Sequence, residues 1–285
     1  MEIKAPYLLF FGDGSIAKTA TGVFYWRPEL CKAQYKFGAC PVDLGIPDMT
    51  PFEAAENGIK TLVIGVAPQG GQLPDHWIKT LLDALDAGLD IASGLHTRIA
   101  DIKEVADKAA SLGRQIFDVR HPTENFAVGQ GTKRSGKRLL AVGTDCAVGK
   151  MFATLAIEKE MKARGMNVDF RATGQTGIFI AGTGVSVDAA VADFISGATE
   201  TLSPDNEDDH WDIIEGQGSL FHPSYAGVTL GLVHGSQPDA MVLCHEAGRE
   251  NIAGVEGFPL PDIALAISTY ETIAQLTNKS AKVVG

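Results

Sequence analysis

The most informative segment of this chain is Arg138-Leu-Leu-Ala-Val-Gly-Thr-Asp-Cys-Ala-Val-Gly-Lys150-Met-Phe-Ala-Thr154. Its apolar run, residues 139–142, predicts a buried strand. A glycine-bearing turn follows, and a helical pattern opens at Gly149-Lys150. A strand, a tight turn and a helix that starts with Gly-Lys are typical of a phosphate-binding loop, in which backbone N–H groups and the positive end of the helix hold an anion.

This loop departs from the standard pattern at two positions. Thr144 stands where the first glycine is expected, and Gly143 lies one residue earlier. Met151 stands where a serine or threonine normally ligates Mg²⁺, and a thioether is no substitute because Mg²⁺ prefers oxygen ligands. We therefore expect phosphate binding without a metal ion. The predicted phosphate-binding residues are Gly143, Thr144, Asp145, Cys146, Ala147, Val148, Gly149, Lys150 and Met151.

The composition is typical of a globular protein and limits the possible partners. The chain has 285 residues, of which 45% are hydrophobic and 21% are charged. Its formal net charge of −11 makes nucleic acid and anionic membrane surfaces unsuitable partners. The four cysteines form no C-x-x-C pair, which indicates reduced thiols in a cytoplasmic protein. We find neither a signal-peptide pattern nor an apolar run long enough to span a membrane.

Two halves can be distinguished by their alternating strand and helix patterns. In residues 1–127, the strands are predicted at 7–11, 61–67, 89–93 and 115–119, and the helices at 76–87 and 99–112. The basic, glycine-rich segment 128–137 is predicted to be a solvated linker. Residues 138–285 repeat the alternation, with strands at 139–142, 168–172, 211–214, 229–233, 240–244 and 263–267 and helices at 149–164 and 185–195. This order predicts an α/β fold with parallel sheets, and the second half is a doubly wound phosphate-loop domain.

Two residues are candidates for proton transfer. Glu215 ends a predicted strand and is followed by Gly-Gln-Gly, so we expect it at the edge of the sheet where ligands bind. A carboxylate that only caps the next turn is the alternative. His222 follows the same turn, and histidine is a residue type that can exchange a proton near neutral pH; a hydrogen-bonded surface histidine is the alternative.

Other residues at strand ends have the chemistry to bind an anion. Lys18 opens a helix after the first strand, and Arg98 and Arg120 follow two later strands. Gln175 lies in a small-residue turn that offers backbone donors to an anion or an acyl oxygen. A purely structural role is the alternative for each of them.

Cys146 and the remaining polar clusters provide weaker signals. Cys146 lies near a helix N-terminus, an environment that lowers the pKa of a thiol, but a small residue tolerated in a tight loop is the simpler interpretation. The acidic run 205–210 and the triplet 244–246 lack a metal-ligand spacing, so no metal site is predicted.

These motifs resemble those of known families. The loop 143–150 together with Glu215-Gly-Gln-Gly is similar to the phosphate loop and later acid of dethiobiotin synthetase. A closer resemblance, over nearly the whole chain, is to the DgcN family. It is carried by 17–20, 94–97, 118–122, 143–151, 174–177, Asp188 and 215–218. This resemblance implies an N-terminal Rossmann-like domain and a C-terminal P-loop NTPase-like domain. It also implies D-glutamate N-acetyltransferase activity with acetyl-CoA, in a route that degrades D-glutamate.

The resemblance also gives the candidate residues expected roles. The loop would hold the diphosphate of coenzyme A, and Glu215 or His222 would act as the base. The expected partner is a small acidic amino acid, whose two carboxylates call for cations. The candidate substrate-binding residues are Lys18, Arg98, Arg120, Arg171 and Gln175. Enzymes of this class are commonly symmetric, so we expect a homo-oligomer.

Two other functions are compatible with the motifs. One is an ATP- and Mg²⁺-dependent ligase or kinase of the dethiobiotin synthetase type, in which Thr154 or Asp145 would replace the missing metal ligand. The other is a non-catalytic module that binds coenzyme A or a nucleotide.

Overall fold

The computed structural model describes residues 2–14, 17–38, 40–66, 73–121 and 125–285. The chain folds into two compact units. The first contains Met1–Pro122 and Ile178–Thr183, and the second contains Thr123–Gly177 and Gly184–Gly285. Each unit has a parallel five-stranded sheet in its described part. Within the described ranges, no helix has both the length and the apolar character needed to cross a membrane.

Strands and helices alternate along the first unit. Its elements are β1 (Tyr7–Gly12), α1 (Lys18–Trp26), β2 (Cys31–Lys36), α2 (Pro51–Glu56), β3 (Thr61–Ile64), α3 (Ile78–Asp86), β4 (Asp90–Ser93), α4 (Lys103–Leu112) and β5 (Ile116–Asp118). The strand order is β2-β1-β3-β4-β5. The apolar strands β1 and β3 are completely buried, because helices cover both faces of a parallel sheet.

The sequence predicted four of these five strands. The predicted strand 61–67 ends at Ile64, and its last residue, Ala67, lies outside the described residues. The sequence analysis missed β2 because this edge strand contains no continuous apolar run. Gly113, with φ of +63°, ends α4 as predicted.

The second unit repeats the pattern around a longer first strand. Its elements are β6 (Lys137–Gly143), α5 (Lys150–Ala163), β7 (Val168–Arg171), α6 (Gln175–Ala181), α7 (Ile195–Leu202), β8 (Trp211–Ile214), α8 (Ala226–Ser236), β9 (Ala240–Cys244), α9 (Ile263–Ala274) and β10 (Lys282–Val283). The strand order β10-β9-β6-β8-β7 places β6 at the centre. Leu140 pairs with Ile214, and Ile214 with Arg171, so the ends of β6, β7 and β8 meet at one edge.

Three element predictions in this half were wrong. Residues 229–233 lie in α8, where Thr229, Leu232 and Val233 are buried at helical spacing. Residues 263–267 begin α9, whose N-cap Asp262 accepts hydrogen bonds from the N–H groups of Ala264 and Leu265. The predicted helix 185–195 is instead two single 3₁₀ turns, and α7 starts only at its end.

Residues 128–137, which we expected to form a solvated linker, belong to the second unit. Arg134 is buried there, and its guanidinium donates to the carbonyl groups of Ser203 at 2.6 Å and Glu200 at 3.1 Å. Arg134 therefore serves packing, because it satisfies carbonyl groups at the end of α7. The domain boundaries 1–127 and 138–285 and the linker at 128–137 stay a prediction.

Candidate functional site

The phosphate loop connects β6 to α5 through a turn with little free space. A Cβ atom at Gly143 would lie 2.8 Å from Cγ2 of Val148, so no side chain fits there. Gly149 has φ of +93°, a conformation that favours glycine, and leads directly into α5 at Lys150. The first N–H groups of a helix have no partner within it, and they therefore provide donors beside this loop.

Lys150 supplies the positive charge of the loop. Its ammonium group donates to the backbone carbonyl of Asp145 at 2.8 Å, and its side chain is buried. Burial lowers the pKa of Lys150, while the nearby Asp145 carboxylate acts against this change. A phosphate oxygen entering the loop would offer this ammonium a charged acceptor in place of a neutral carbonyl.

Asp145 is fully buried, and both of its carboxylate oxygens accept hydrogen bonds. Oδ1 accepts from the N–H of Cys146 at 2.6 Å. Oδ2 accepts from the N–H of Ala253 at 2.7 Å and from Nη1 of Arg249 at 2.8 Å. Burial alone would raise the pKa of Asp145, but these donors hold it below its usual value. Asp145 is therefore a carboxylate built into the loop rather than a group that faces solvent.

Thr154 and Asp145, the oxygen ligands considered for a magnesium site, form hydrogen bonds within the protein. The hydroxyl of Thr154 donates to the carbonyl groups of Lys150 at 3.0 Å and Met151 at 2.8 Å, within the first turns of α5. Both oxygens of Asp145 are engaged as described above. The arrangement therefore does not favour the metal-dependent alternative.

Asp145, Cys146 and His222 form the one group of potential metal ligands found among the described residues, with ligand atoms within 4.8 Å of one another. Nδ1 of His222 accepts from the N–H of Ser224 at 3.1 Å, so the ring proton is on Nε2. Nε2 lies 3.2 Å from the carbonyl oxygen of Ala253, to which it can donate. Both ring nitrogens of His222 are thus engaged within the protein, and the expected absence of a metal stays a prediction.

The structure also changes the interpretation of Cys146 and His222. Burial raises the pKa of Cys146, which outweighs the lowering that we expected from the helix N-terminus. His222 is buried with both nitrogens bonded rather than exposed at the surface, and it lies beside the phosphate loop. The role of His222 as a base stays a prediction.

Glu215 follows β8, and its carboxyl group is buried. Its Oε2 accepts from the N–H groups of Thr173 at 2.9 Å and Gly174 at 3.1 Å. Burial raises the pKa of Glu215 to about 7 although these hydrogen bonds lower it, and the nearby Asp188 adds to the increase. A carboxyl group with this pKa can gain or lose a proton at neutral pH, as general acid–base catalysis requires.

Two glycines allow the Glu215 turn to approach its neighbours. A Cβ atom at Gly216 would lie 1.8 Å from the carbonyl oxygen of Ala141 and 2.9 Å from Cδ of Lys150. A Cβ atom at Gly177 would lie 2.3 Å from Oε2 of Glu215. The turn that carries Glu215 therefore contacts the lysine of the phosphate loop through Gly216, while the carboxyl group of Glu215 lies against the end of β7.

The predicted substrate-binding residues are divided between the two units. Lys18, Arg98 and Arg120 belong to the first unit, and Arg171 and Gln175 belong to the second. Lys18 and Arg98 are exposed. The guanidinium of Arg171 donates to Oδ1 of the buried Asp212 at 2.7 Å, so its charge is already paired. Gln175 opens α6, directly after the two N–H groups that bind Glu215.

The sequence analysis gave no site role to three residues that shape the phosphate loop. Ser219 and Tyr270 are buried and donate their hydroxyl groups to the carbonyl of Gly143 at 2.9 and 2.7 Å. Arg249 binds Asp145 across 104 residues of sequence. Ser219 adjoins the Glu215 motif, which is a usable signal, whereas Tyr270 and Arg249 belong to no motif that points to the loop.

Comparisons with known proteins agree with this architecture. A model of the P-loop domain of a domain of unknown function, DUF1611_C, matches residues 125–285, and the Rossmann-like DUF1611_N model matches residues 32–122. A Tritonibacter scottomollicae protein named D-glutamate N-acetyltransferase is 50% identical over 286 residues, which cover 99% of this chain and 86% of that protein. A Pseudoalteromonas protein of the same name is 48% identical over 288 residues, which cover 100% of this chain and 87% of that protein.

A solved structure is also similar along almost the whole chain. The crystal structure of a DUF1611 family protein from Anabaena variabilis ATCC 29413, at 2.30 Å resolution, has a TM-score of 0.81 and 34% sequence identity. The match covers 98% of this chain and 85% of that one. The chain therefore belongs to the DUF1611 family, with a Rossmann-like N-terminal domain and a P-loop C-terminal domain.

Proposed function

We propose that this protein transfers an acetyl group from acetyl-CoA to the amino group of D-glutamate. The observation that carries the proposal is the identity of 50% and 48%, along the whole chain, to two proteins named D-glutamate N-acetyltransferase. Those names support both the acetyl transfer and the acceptor. The choice of acetyl-CoA as the donor is our inference from the phosphate loop.

The loop suits a carrier with a diphosphate better than a nucleotide that must be cleaved. Lys150 and the N–H groups at the start of α5 supply the donors that a diphosphate requires. Met151 has no hydroxyl for the Mg²⁺ that phosphoryl transfer uses, and the hydroxyl of Thr154 is fully buried within the first turns of α5. We therefore assign the loop to the diphosphate of coenzyme A, which is held but not broken.

We assign Glu215 as the base, acting directly or through water. The substrate ammonium must lose a proton before its nitrogen can attack the thioester carbonyl, and Glu215 takes up this proton. The new C–N bond forms, the C–S bond breaks, and the coenzyme A thiolate leaves and is protonated. Glu215 is suited to this step because burial places its pKa at about 7, near the working pH.

The two carboxylates of D-glutamate require cations. Lys18, Arg98 and Arg120 follow strands of the first sheet and remain our candidates, because guanidinium groups bind carboxylates in a two-pronged geometry. Arg171 is the weaker candidate, since the carboxylate of Asp212 already pairs with it.

The test is an assay of the purified protein with acetyl-CoA and D-glutamate. We expect free thiol to appear together with N-acetylglutamate identified by mass spectrometry, and we expect EDTA to leave the rate unchanged. L-Glutamate and D-aspartate measure the selectivity of the site. The proposal fails if no thiol is released above background, or if turnover requires ATP and Mg²⁺.

A further inference from the structure

Arg249 has no part in the function proposed above, yet it binds the phosphate loop at several points. It lies between β9 and α9, and its side chain is 19% exposed. Nη1 donates to Oδ2 of Asp145 and to the carbonyl oxygen of Cys146, both at 2.8 Å. Nη2 lies 3.4 Å from the carbonyl oxygen of Ala147 and also binds Glu246. One guanidinium thus spans three consecutive residues of the loop.

The first consequence concerns the direction of the peptide groups. A loop that binds a phosphate through its N–H groups must turn the carbonyl groups of the same peptides away from the anion. Arg249 holds the carbonyl groups of Cys146 and Ala147 in fixed directions. Ala147 has φ of +53°, which non-glycine residues rarely adopt, so the loop needs external contacts to keep this shape.

The second consequence concerns charge. Asp145 places a fully buried carboxylate inside a loop that must accept an anion. Arg249 and the N–H of Ala253 are the donors that reach its Oδ2. Without the guanidinium, the buried carboxylate would lose its paired cation, and less of the positive charge of Lys150 would remain to attract a diphosphate.

We propose that Arg249 is a positioning residue that shapes the phosphate loop and cancels the charge of Asp145, so that the loop can accept the diphosphate of coenzyme A. The inference rests on the proposed function for the identity of the anion. In this role Arg249, from a distant segment of the chain, determines the affinity for coenzyme A without contact with the reacting atoms.

Two acetyl donors separate this role from a general structural one. S-Acetylpantetheine has the thioester and the arm of acetyl-CoA but lacks the diphosphate. We expect Arg249→Ala to lower kcat/KM for acetyl-CoA at least ten-fold and to change kcat/KM for S-acetylpantetheine less than two-fold. Arg249→Lys keeps the charge but not the forked geometry, so its kcat/KM for acetyl-CoA should lie between those of the wild type and Arg249→Ala. Arg164→Ala is the matched control, because that arginine is 70% exposed and, among the described residues, forms an ion pair with Glu160 alone.

Direct binding keeps the test independent of turnover and of stability. Coenzyme A is titrated calorimetrically into the wild type, Arg249→Gln and the double variant Asp145→Asn/Arg249→Gln, and the Tm of each is measured. The double variant carries no buried charge at either position, and we expect it to bind coenzyme A more tightly than Arg249→Gln.

Equal affinity of the wild type and Arg249→Gln would overturn the inference, as would equal losses with both acetyl donors. A wild type that does not bind coenzyme A would overturn the proposed function together with it.

Discussion

The carboxyl group of Glu215 gives the candidate site a pH dependence with a defined sign. Burial raises its pKa to about 7, and a base is active only when it is ionised. We expect kcat/KM for D-glutamate to rise with pH and to reach half of its plateau at about pH 7. Glu215→Gln should lower kcat by roughly 100-fold or more and should remove this step from the profile. A variant with the wild-type rate and profile would show that another group is the base.

The same raised pKa links folding to pH. Because the pKa of Glu215 is about 7 in the folded protein and ordinarily 4.5, the folded state holds the proton more tightly. This tighter proton binding contributes up to about 3 kcal/mol to the free energy of unfolding. The contribution is fully present below pH 4.5 and is lost as the pH rises through 7. Glu215→Gln cannot ionise, so it does not lose stability in this way. The free energy of unfolding of the variant minus that of the wild type should therefore increase from pH 5 to pH 8.

Urea denaturation at the two pH values measures this change. Glu160→Gln is the control, because Glu160 is 61% exposed and forms a surface ion pair with Arg164. If the stability difference between Glu215→Gln and the wild type is the same at both pH values, the carboxyl group is not held protonated by the fold.

Individual residues were predictable from the sequence where a motif is contiguous. Lys150 and Glu215 each follow a strand and lie beside glycines, and the structure places Gly216, the neighbour of Glu215, against the side chain of Lys150. Arg249 could not be predicted, because its contact with Asp145 depends on the path of the chain after β9. For Arg171 the motif was misleading. This residue lies at the end of a strand, but its guanidinium is paired with the carboxylate of Asp212.

Secondary-structure elements were predictable where length and periodicity agree. The 14-residue helix α5 starts at the Gly-Lys pair, and Gly165, with φ of +75°, follows its end, as expected. The strand predictions at 229–233 and 263–267 were wrong because a short, mostly apolar segment fits a strand and a buried helix turn equally well. Buried residues three and four apart in α8, and four apart in α9, identify the helices, and only the packed structure shows this burial.

The close approach of two strand ends gives a prediction at the level of elements. A Cβ atom at Gly216 would lie 1.8 Å from a backbone oxygen at the end of β6, so Gly216→Ala must separate the Glu215 turn from the phosphate loop. We expect a stability loss of about 2 kcal/mol or more and loss of coenzyme A binding. Thermal unfolding and calorimetric titration of the variant measure these two effects.

Gly227→Ala is the matched control for this substitution. Gly227 lies in α8 of the same unit, and a Cβ atom there meets nothing within 4 Å. Alanine favours the helix over glycine by up to about 1 kcal/mol, so this variant should be equally stable or more stable. A Gly216→Ala protein with wild-type Tm and affinity would contradict the close approach.

At the level of the whole molecule, the proposed function requires a chain of net charge −11 to bind two anionic substrates. Such substrates need local cations, and the predicted ones are divided between the units. Lys150 belongs to the second unit, while Lys18, Arg98 and Arg120 belong to the first. The fold class and the assignment of these side chains to separate halves of the chain were both predictable from the alternation of strands and helices.

Hydrogen exchange followed by mass spectrometry can test, in the intact protein, whether coenzyme A and D-glutamate protect different units. A ligand slows exchange where it stabilises the folded state against local opening. We expect coenzyme A to protect peptides that cover 143–151, and D-glutamate to protect peptides that cover Lys18, Arg98 and Arg120. Arg171 provides the internal comparison, because its pairing with Asp212 predicts no protection by D-glutamate beyond that of the neighbouring strand. Protection by D-glutamate confined to the second unit would assign the substrate carboxylates to Arg171 or Gln175 and would exclude the three cations of the first unit.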